Sequence, residues 1–219
     1  MRLNDFFPYV ANNIGDIWTS ISQHIIISLT AVILGFIVAF PVGILFTRNR
    51  RVARVILAVF GVVNTIPSLV LLGVAMVVLG LGFVPAVAVL FVYSLLPIMR
   101  NTYTGISEVD PQYVKAAKGV GMSRMQILVR VEIPLALPVI IAGVRLSTVY
   151  VISWGTLSTF IGAGGLGDLL WGGLSAYNYN KVFSGALPAT LLALLASFIL
   201  SMVERLVRRR TRSDREVKQ

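Results

Sequence analysis

Four long stretches without a charged side chain constrain this sequence more than any other feature. No Asp, Glu, Lys or Arg occurs between Asp16 and Arg48, between Arg54 and Arg100, between Arg145 and Asp168, or between Lys181 and Glu204. A helix needs about 20 apolar residues to cross the hydrocarbon core. Inside lipid every backbone N–H and C=O group must form its hydrogen bond within the segment, as it does in an α-helix. The stretches therefore predict an all-α integral membrane protein.

The apolar stretches divide into about five crossings. The predicted spans cover residues 25–46, two crossings within 55–99 separated by a turn at 80–85, then 138–161 and 184–203. The interior prolines Pro41, Pro67 and Pro188 are expected to kink their helices, which packed membrane bundles tolerate.

Five crossings place most of the basic residues on one side of the membrane. Segments 48–54 and 100–132 and the tail from 204 hold 16 of the 19 Lys and Arg residues. The positive-inside rule assigns this side to the cytoplasm, with the N-terminus outside and the C-terminus inside. The expected order is an extracytoplasmic segment 1–24, a transmembrane domain 25–203 with a cytoplasmic loop 100–136 and an extracytoplasmic loop 162–183, and a basic tail 204–219. The tail is predicted to contact anionic lipid rather than nucleic acid.

The cytoplasmic loop contains the signature of a short helix. Asp110 and Pro111 form a helix start, and Gly119 and Gly121 can end the helix. Spacing of i, i+3, i+4 and i+7 gives one apolar face, made of Tyr113, Ala116, Ala117 and Val120. Lys115 and Lys118 lie elsewhere on the surface.

A second short helix is predicted after the first. Ser123 and Gln126 have capping-box spacing, and Pro134 is expected to limit the far end. Two interpretations are open: a loop packed on its own bundle, or a projection that docks a cytosolic partner.

The loop resembles the EAA motif of ABC importer permeases. The matching residues are Lys115-Ala116-Ala117, Gly121 and Val131-Glu132-Ile133-Pro134. The resemblance implies a coupling helix that contacts an ATP-hydrolysing subunit, with candidate contact residues Tyr113, Lys115, Ala116, Ala117, Gly121 and Pro134. Lys115 stands where the motif has Glu, which reverses the charge offered to the partner.

The resemblance covers roughly residues 20–205, and segments 65–68, 93–103 and 160–167 look like the osmoprotectant branch of the family. It implies a permease of a bacterial or archaeal cell membrane that imports glycine betaine, carnitine or choline. The implied partners are an ATPase dimer, a second permease chain (identical or a sister) and an extracytoplasmic substrate-binding protein. ATP and Mg would be bound by the ATPase, and no cofactor by this chain.

An aromatic face on the fourth span is the first candidate for the substrate pathway. Ser147, Tyr150 and Trp154 fall at i, i+3 and i+7, and aromatic rings attract a quaternary ammonium by about 0.5–2 kcal/mol per contact. Aromatic packing or an interfacial belt is the alternative. Further candidates share polar or aromatic character within the apolar stretches, with interhelical hydrogen bonding as the alternative: Asn64, Ser68, Tyr93 and Ser94.

Two isolated polar residues of the spans have simpler interpretations. Arg145 is expected to reach the interface or to form a structural ion pair. His24 is expected at the membrane interface.

A glycine-rich segment follows the fourth span and matches the dinucleotide fingerprint Gly-x-Gly-x-x-Gly. We reject that function because the segment follows a membrane helix rather than a strand. A flexible turn is predicted instead, and the family resemblance implies a role at the outer gate or against the binding protein. The residues are Gly162, Gly164, Gly165 and Gly167.

Other functions find little support in the sequence. There is no cysteine and only one His, and we find no catalytic constellation, metal site or Walker motif. The chain is therefore predicted to be non-catalytic. An importer of another small polar solute, such as an amino acid, remains an alternative. An ion-coupled carrier would want an acid within a span, and an intramembrane enzyme would need paired catalytic groups.

Overall fold

The structure, a computed structural model, describes residues 3–216, and within that range the chain forms helices and no β-strand. The α-helices are α1 Leu3–Asn12, α2 Ile14–Phe46, α3 Arg50–Val63, α4 Ser68–Leu79, α5 Phe83–Ser107, α6 Pro111–Gly119, α7 Arg124–Ile127, α8 Ile133–Gly155, α9 Leu166–Ser175 and α10 Tyr179–Glu216. A π-helical turn, Leu128–Glu132, precedes α8, and a 3-10 helix, Thr156–Ile161, follows it.

Within the described residues, four helical segments are long and apolar enough to cross a membrane: α2, α5, the continuous helix Arg124–Ile161, and Tyr179–Arg209 of α10. A fifth candidate is the pair α3 and α4, which are bent by 89° relative to each other. Large apolar side chains such as Leu194 and Phe198 are exposed on the outside of the bundle, as contact with lipid requires. The predicted all-α membrane fold with about five spans is confirmed.

The second predicted crossing is not a continuous helix, which corrects the sequence interpretation. Pro67 has no N–H to continue the helical ladder, so the chain breaks after Val63 and restarts at Ser68. The Tyr93 hydroxyl donates a hydrogen bond to the freed Ile66 carbonyl at 2.5 Å. By contrast, Pro41 and Pro188 lie inside α2 and α10 without interrupting either helix.

Helices α2 and α5 run in the same direction. Gly35 of α2 lies against Ser94 of α5, and Gly43 lies against Thr102. From the first contact to the second, both helices advance by eight residues in the same direction along the chain. Two parallel spans that follow each other must be joined by a return across the membrane. The bent pair α3–α4 therefore makes one crossing.

Helix α8 runs antiparallel to α5. Gly105 near the end of α5 lies against Val139 near the start of α8. Further along α8, the Ser147 hydroxyl donates to the Ser94 carbonyl at 3.1 Å. The long segment between these helices, which contains α6 and α7, therefore projects from one end of the bundle.

Helix α10 returns antiparallel to α8. Arg145 lies beside Glu204 toward the end of α10, whereas Thr156 lines the same groove as Ala189 near its start. The chain therefore makes five passes. The ends of α2, α5 and α10 lie at one end of the bundle, where the basic segments collect; this end is called the basic end below.

The helices extend beyond the predicted spans, as α2 and α10 show. Helix α2 begins at Ile14 rather than residue 25, and α10 runs from Tyr179 to Glu216 rather than over 184–203. An apolar stretch marks only the part of a helix that lies in hydrocarbon, so polar extensions escape it. The predicted N-terminal segment holds α1 and the start of α2; residues 1, 2 and 217–219 lie outside the described range.

Small residues let these helices approach closely. A Cβ added to Gly143 would lie 2.5 Å from the Asn101 Cβ and 2.9 Å from the Pro97 carbonyl oxygen. Neither neighbour is the free end of a flexible side chain. Close contact of this kind is the usual basis of helix association in membranes, where the hydrophobic effect does not drive helices together.

We predict that Gly143→Ala destabilises the folded protein by about 1–3 kcal/mol, because an extra methyl group overpacks the contact between α5 and α8. The matched control is Gly61→Ala, at a helical position with no atom within 4 Å of the added Cβ. The control should be neutral or slightly stabilising. Thermal unfolding of both variants in detergent measures the difference; equal midpoints would contradict this packing.

Candidate functional site

Helix α6 is bounded by the caps that the sequence predicts. The Asp110 side chain accepts a hydrogen bond from the Gln112 N–H at 2.8 Å, and Pro111 occupies the first turn. Gly121 has φ of 80° and closes a Schellman motif at the end of the helix. The Gly121 N–H donates to the Lys118 carbonyl at 3.0 Å, and the Met122 N–H donates to the Ala117 carbonyl at 3.1 Å.

The predicted apolar face of α6 is divided between the protein and its surroundings. Ala117 is buried, whereas Ala116 is exposed and Val120 is 77% exposed. Tyr113 is 38% exposed. The helix is thus anchored through one alanine and leaves the other exposed, as packing on its own bundle requires; docking of a cytosolic partner on the exposed part stays a prediction.

The second short helix of the loop has the predicted start but not the predicted end. Ser123 and Gln126 form a capping box. The chain then continues through the π-helical turn into α8, with Pro134 in the first turn of α8. Pro134 cannot donate to the carbonyl four residues earlier, and the wider π turn accommodates this loss. The second helix of the loop and the fourth span are therefore one continuous helix, Arg124–Ile161.

A cleft lies beside the break between α3 and α4. It has a volume of about 450 Å³, within the range of small-molecule sites. Three of the seven pathway candidates, Asn64, Tyr150 and Trp154, line it. The rest of the lining comes from α5 and α8: Leu96, Pro97, Arg100, Asn101 and Leu146. Arg100 belongs to the segment 93–103 that looks like the osmoprotectant branch, but the sequence predicts no place for it in the substrate pathway.

Aromatic rings form one wall of the cleft. The ring centroids of Tyr150 and Trp154 are 5.1 Å apart, with an angle of 32° between their planes. Tyr93 packs against Trp154 from behind, with centroids 4.5 Å apart, and is itself buried. Its hydroxyl is committed to the Ile66 carbonyl, so Tyr93 supports the wall rather than forming it.

The serine candidates lie away from the cleft lining. Ser94 and Ser147 are fully buried. The Ser94 hydroxyl donates to the Phe91 carbonyl at 2.7 Å, and Ser147 bonds Ser94 across the helix contact. Ser68 is half-buried at the start of α4. Ser94 and Ser147 thus form a hydrogen bond between two helices, the alternative that the sequence offers for such residues. A pathway role for Ser68, Ser94 and Ser147 stays a prediction.

The glycine-rich segment is held tightly against α2. Gly162, Gly164 and Gly165 all have positive φ, between 72° and 94°. The Gly165 N–H donates to the Gln23 side-chain oxygen at 3.0 Å, and a Cβ on Gly167 would collide with the Thr156 carbonyl. Each glycine serves a left-handed backbone or a close contact, and the predicted flexibility and gate role of the turn stay predictions.

His24 is buried, which corrects the expected interfacial position. Its Nε2 donates to the Ile152 carbonyl at 3.0 Å. In a continuing α-helix the Thr156 N–H would donate to the Ile152 carbonyl. Because α8 changes into a 3-10 helix here, that N–H donates to the Trp154 carbonyl instead, and His24 replaces it as the donor. No periodicity in the sequence could reveal this contact, since the two residues are 128 positions apart.

Arg145 forms an ion pair rather than lining the cleft. Its guanidinium lies 3.6 Å from one Glu204 oxygen, and Arg208 lies 2.7 Å from the other. The Glu204 side chain is only 12% exposed. The structural pair, one of the two expected interpretations of Arg145, is the arrangement present, and it fastens α8 to α10.

The sequence matches the family described as the inner membrane component of binding-protein-dependent transport systems, over residues 31–213. The chain belongs to this family. It is 48% identical over 195 residues to the carnitine transport permease protein OpuCB of Listeria monocytogenes, which covers 89% of each chain. It is 43% identical over 205 residues to the glycine betaine/carnitine/choline permease protein OpuCB of Bacillus subtilis, which covers 94% of each chain.

Two solved structures of ABC transporters share the fold. An inward-facing MetNI methionine transporter superposes with a TM-score of 0.79 at 21% identity, covering 90% of this chain and 98% of that chain. An amino acid ABC transporter with histidines gives 0.76 at 20% identity, covering 94% and 99%. The predicted resemblance to ABC importer permeases, its osmoprotectant branch and the membrane location are thereby confirmed.

We predict that Glu204→Gln destabilises this permease by about 1–3 kcal/mol, because two cations lose their shared carboxylate. Arg145→Gln alone should also destabilise it. The double variant should lose less stability than the sum of the single variants, since the contact between Arg145 and Glu204 can be lost only once and Arg208 loses its partner equally in Glu204→Gln and in the double variant. Thermal unfolding of the wild type, the two single variants and the double variant in detergent completes a double-mutant cycle. Strictly additive losses of stability would argue against an ion pair between Arg145 and Glu204.

Proposed function

We propose that this permease is the membrane-spanning subunit of an ATP-driven importer for quaternary-ammonium osmoprotectants such as glycine betaine, carnitine or choline. The observation that carries the proposal is the cleft beside the broken span, with Tyr150 and Trp154 as its aromatic wall. The names of the relatives, which are carnitine and glycine betaine/carnitine/choline permeases, support the same class of solute.

The aromatic wall suits a solute that must bind and then leave. A quaternary ammonium cannot donate a hydrogen bond, so recognition rests on cation–π attraction and apolar contact. At roughly 0.5–2 kcal/mol per ring, two rings hold the cation weakly. Weak binding serves transport, because a tightly held solute would delay its own release.

The basic end of the bundle faces the cytoplasm in this proposal, with the N-terminus outside. The ATPase dimer docks on the loop that contains α6. Ala116 and Val120 provide exposed apolar contact, and Lys115 offers a positive charge where the family motif has Glu. The chain itself is non-catalytic, and ATP and Mg are bound by the ATPase.

Two further partners complete the importer. A second permease chain, identical or a sister, forms the other half of the pathway. An extracytoplasmic binding protein delivers solute at the opposite end of the bundle, beside the segment Gly162–Gly167. The fixed contact of Gly165 with Gln23 supports a role for this segment as a closed outer gate.

An ion-coupled carrier fits the molecule less well. Such a carrier needs a carboxylate free to bind the coupling ion within the membrane. Glu204, within the helix Tyr179–Arg209, lies 2.7 Å from Arg208 and 3.6 Å from Arg145, so its charge is already matched by two cations.

Transport in reconstituted vesicles tests the proposed function directly. The permease is co-reconstituted with its ATPase and binding protein, and uptake of radiolabelled glycine betaine, carnitine and choline is measured. We expect uptake of at least one solute that requires ATP and the ATPase. Uptake that persists when ATP and the ATPase are omitted would refute the proposal, as would failure to move any of the three.

We predict that Ala116→Asp reduces co-purification of the ATPase at least tenfold, because it places a carboxylate on the exposed docking face of α6. Ala116 is the informative position, since a change at buried Ala117 would also disturb the loop. Ala11→Asp on α1 introduces the same charge at another exposed helical alanine and should have no effect. Equal ATPase recovery with both variants would remove α6 from the interface.

A further inference from the structure

We infer that the cleft recognises both ends of a zwitterion, with the quaternary ammonium on Tyr150 and Trp154 and a carboxylate on Arg100. Arg100 is then a specificity-determining residue that favours betaines over choline. The inference rests on the proposed function, because it concerns the same cleft and the same class of solute.

Arg100 is the cationic group of the cleft lining, and its charge is not neutralised nearby. Within residues 5–209, both ion pairs involve Glu204, which lies against Arg145 and Arg208. No carboxylate in that part of the chain lies within 4 Å of the Arg100 guanidinium. An exposed guanidinium that lines a cleft without a counter-charge is available to an anionic ligand group.

The two amides of the cleft are less available as donors. The Asn101 amide nitrogen donates to the Pro97 carbonyl at 2.8 Å, and that of Asn64 donates to the Phe60 carbonyl at 3.2 Å. Each thereby uses a hydrogen within its own helix. The five-donor fork of Arg100 is therefore the group best suited to bind a carboxylate in this cleft, which it can do with two parallel hydrogen bonds.

The spacing of the two subsites suits a small zwitterion. Asn101 lies against Gly143, and Tyr150 lies two turns further along α8, about 10 Å along the helix axis. Arg100 lines the same cleft as the two rings, and its long, flexible side chain can span part of that distance. A quaternary ammonium and a carboxylate separated by a few bonds can therefore engage both groups at once.

Choline carries the cation but no carboxylate. In the same position it would leave the Arg100 guanidinium unpaired and close to a second positive charge. A site built to bond a polar group discriminates strongly against an analogue that lacks it, because its own group is left without a partner. We therefore expect the cleft to bind glycine betaine about tenfold more tightly than choline.

Ligand binding to the permease–ATPase complex in lipid nanodiscs, without the binding protein, tests the inference. Affinities for glycine betaine and choline are measured by ligand-observed NMR. Arg100→Gln should weaken glycine betaine binding about tenfold and leave choline binding unchanged or slightly tighter. Arg100→Lys should retain part of the preference, and Arg51→Gln, which removes an exposed arginine of α3 outside the cleft, should behave as wild type.

Several results would overturn the inference without touching the proposed function. These are equal affinity of the wild-type complex for the two ligands, absence of binding of both, or an equal change for both ligands in Arg100→Gln. The wild-type comparison requires no variant, so it stands even if Arg100→Gln fails to assemble. Failure of ATP-dependent uptake in vesicles would instead refute the importer itself.

Discussion

Every backbone polar group within a membrane needs a partner, because hydrocarbon offers none. At two places where a helix of this protein departs from α geometry, a side chain from a neighbouring helix supplies the missing donor. The Tyr93 hydroxyl reaches the Ile66 carbonyl at the break between α3 and α4, and His24 reaches the Ile152 carbonyl at the end of α8. The cleft and the glycine-rich segment lie at these two irregular places, so both depend on side chains from other spans.

Close helix packing fixes the rest of the arrangement. Gly35 and Gly43 set the parallel contact of α2 with α5, and Gly143 sets the antiparallel contact of α5 with α8. Larger residues at these positions would push the backbones apart. Because the same helices carry Arg100, Tyr150 and Trp154, the width of the cleft depends on glycines that do not line it.

Much of the fold could be predicted from local signals. Apolar stretches located the spans, and Asp110, Pro111 and Gly121 gave the caps of α6, since all these signals act over a few residues. The break at Pro67 could be expected only as a kink, because the outcome depends on whether a distant donor such as Tyr93 is present. The contacts of His24 with Ile152 and of Glu204 with Arg145 join residues far apart in sequence, and no pattern within a single sequence reveals such pairs.

The continuous helix Arg124–Ile161 gives the molecule a mechanical property. Its 38 residues make a rod about 55 Å long, which begins next to α6, passes the cleft at Tyr150 and Trp154, and ends at the glycine-rich segment. If the rod pivots near one end, a tilt of roughly five degrees moves the other end by about 5 Å, from its length alone. A small displacement at the basic end would thereby be enlarged at the opposite face, and the aromatic wall on the same rod would move with it.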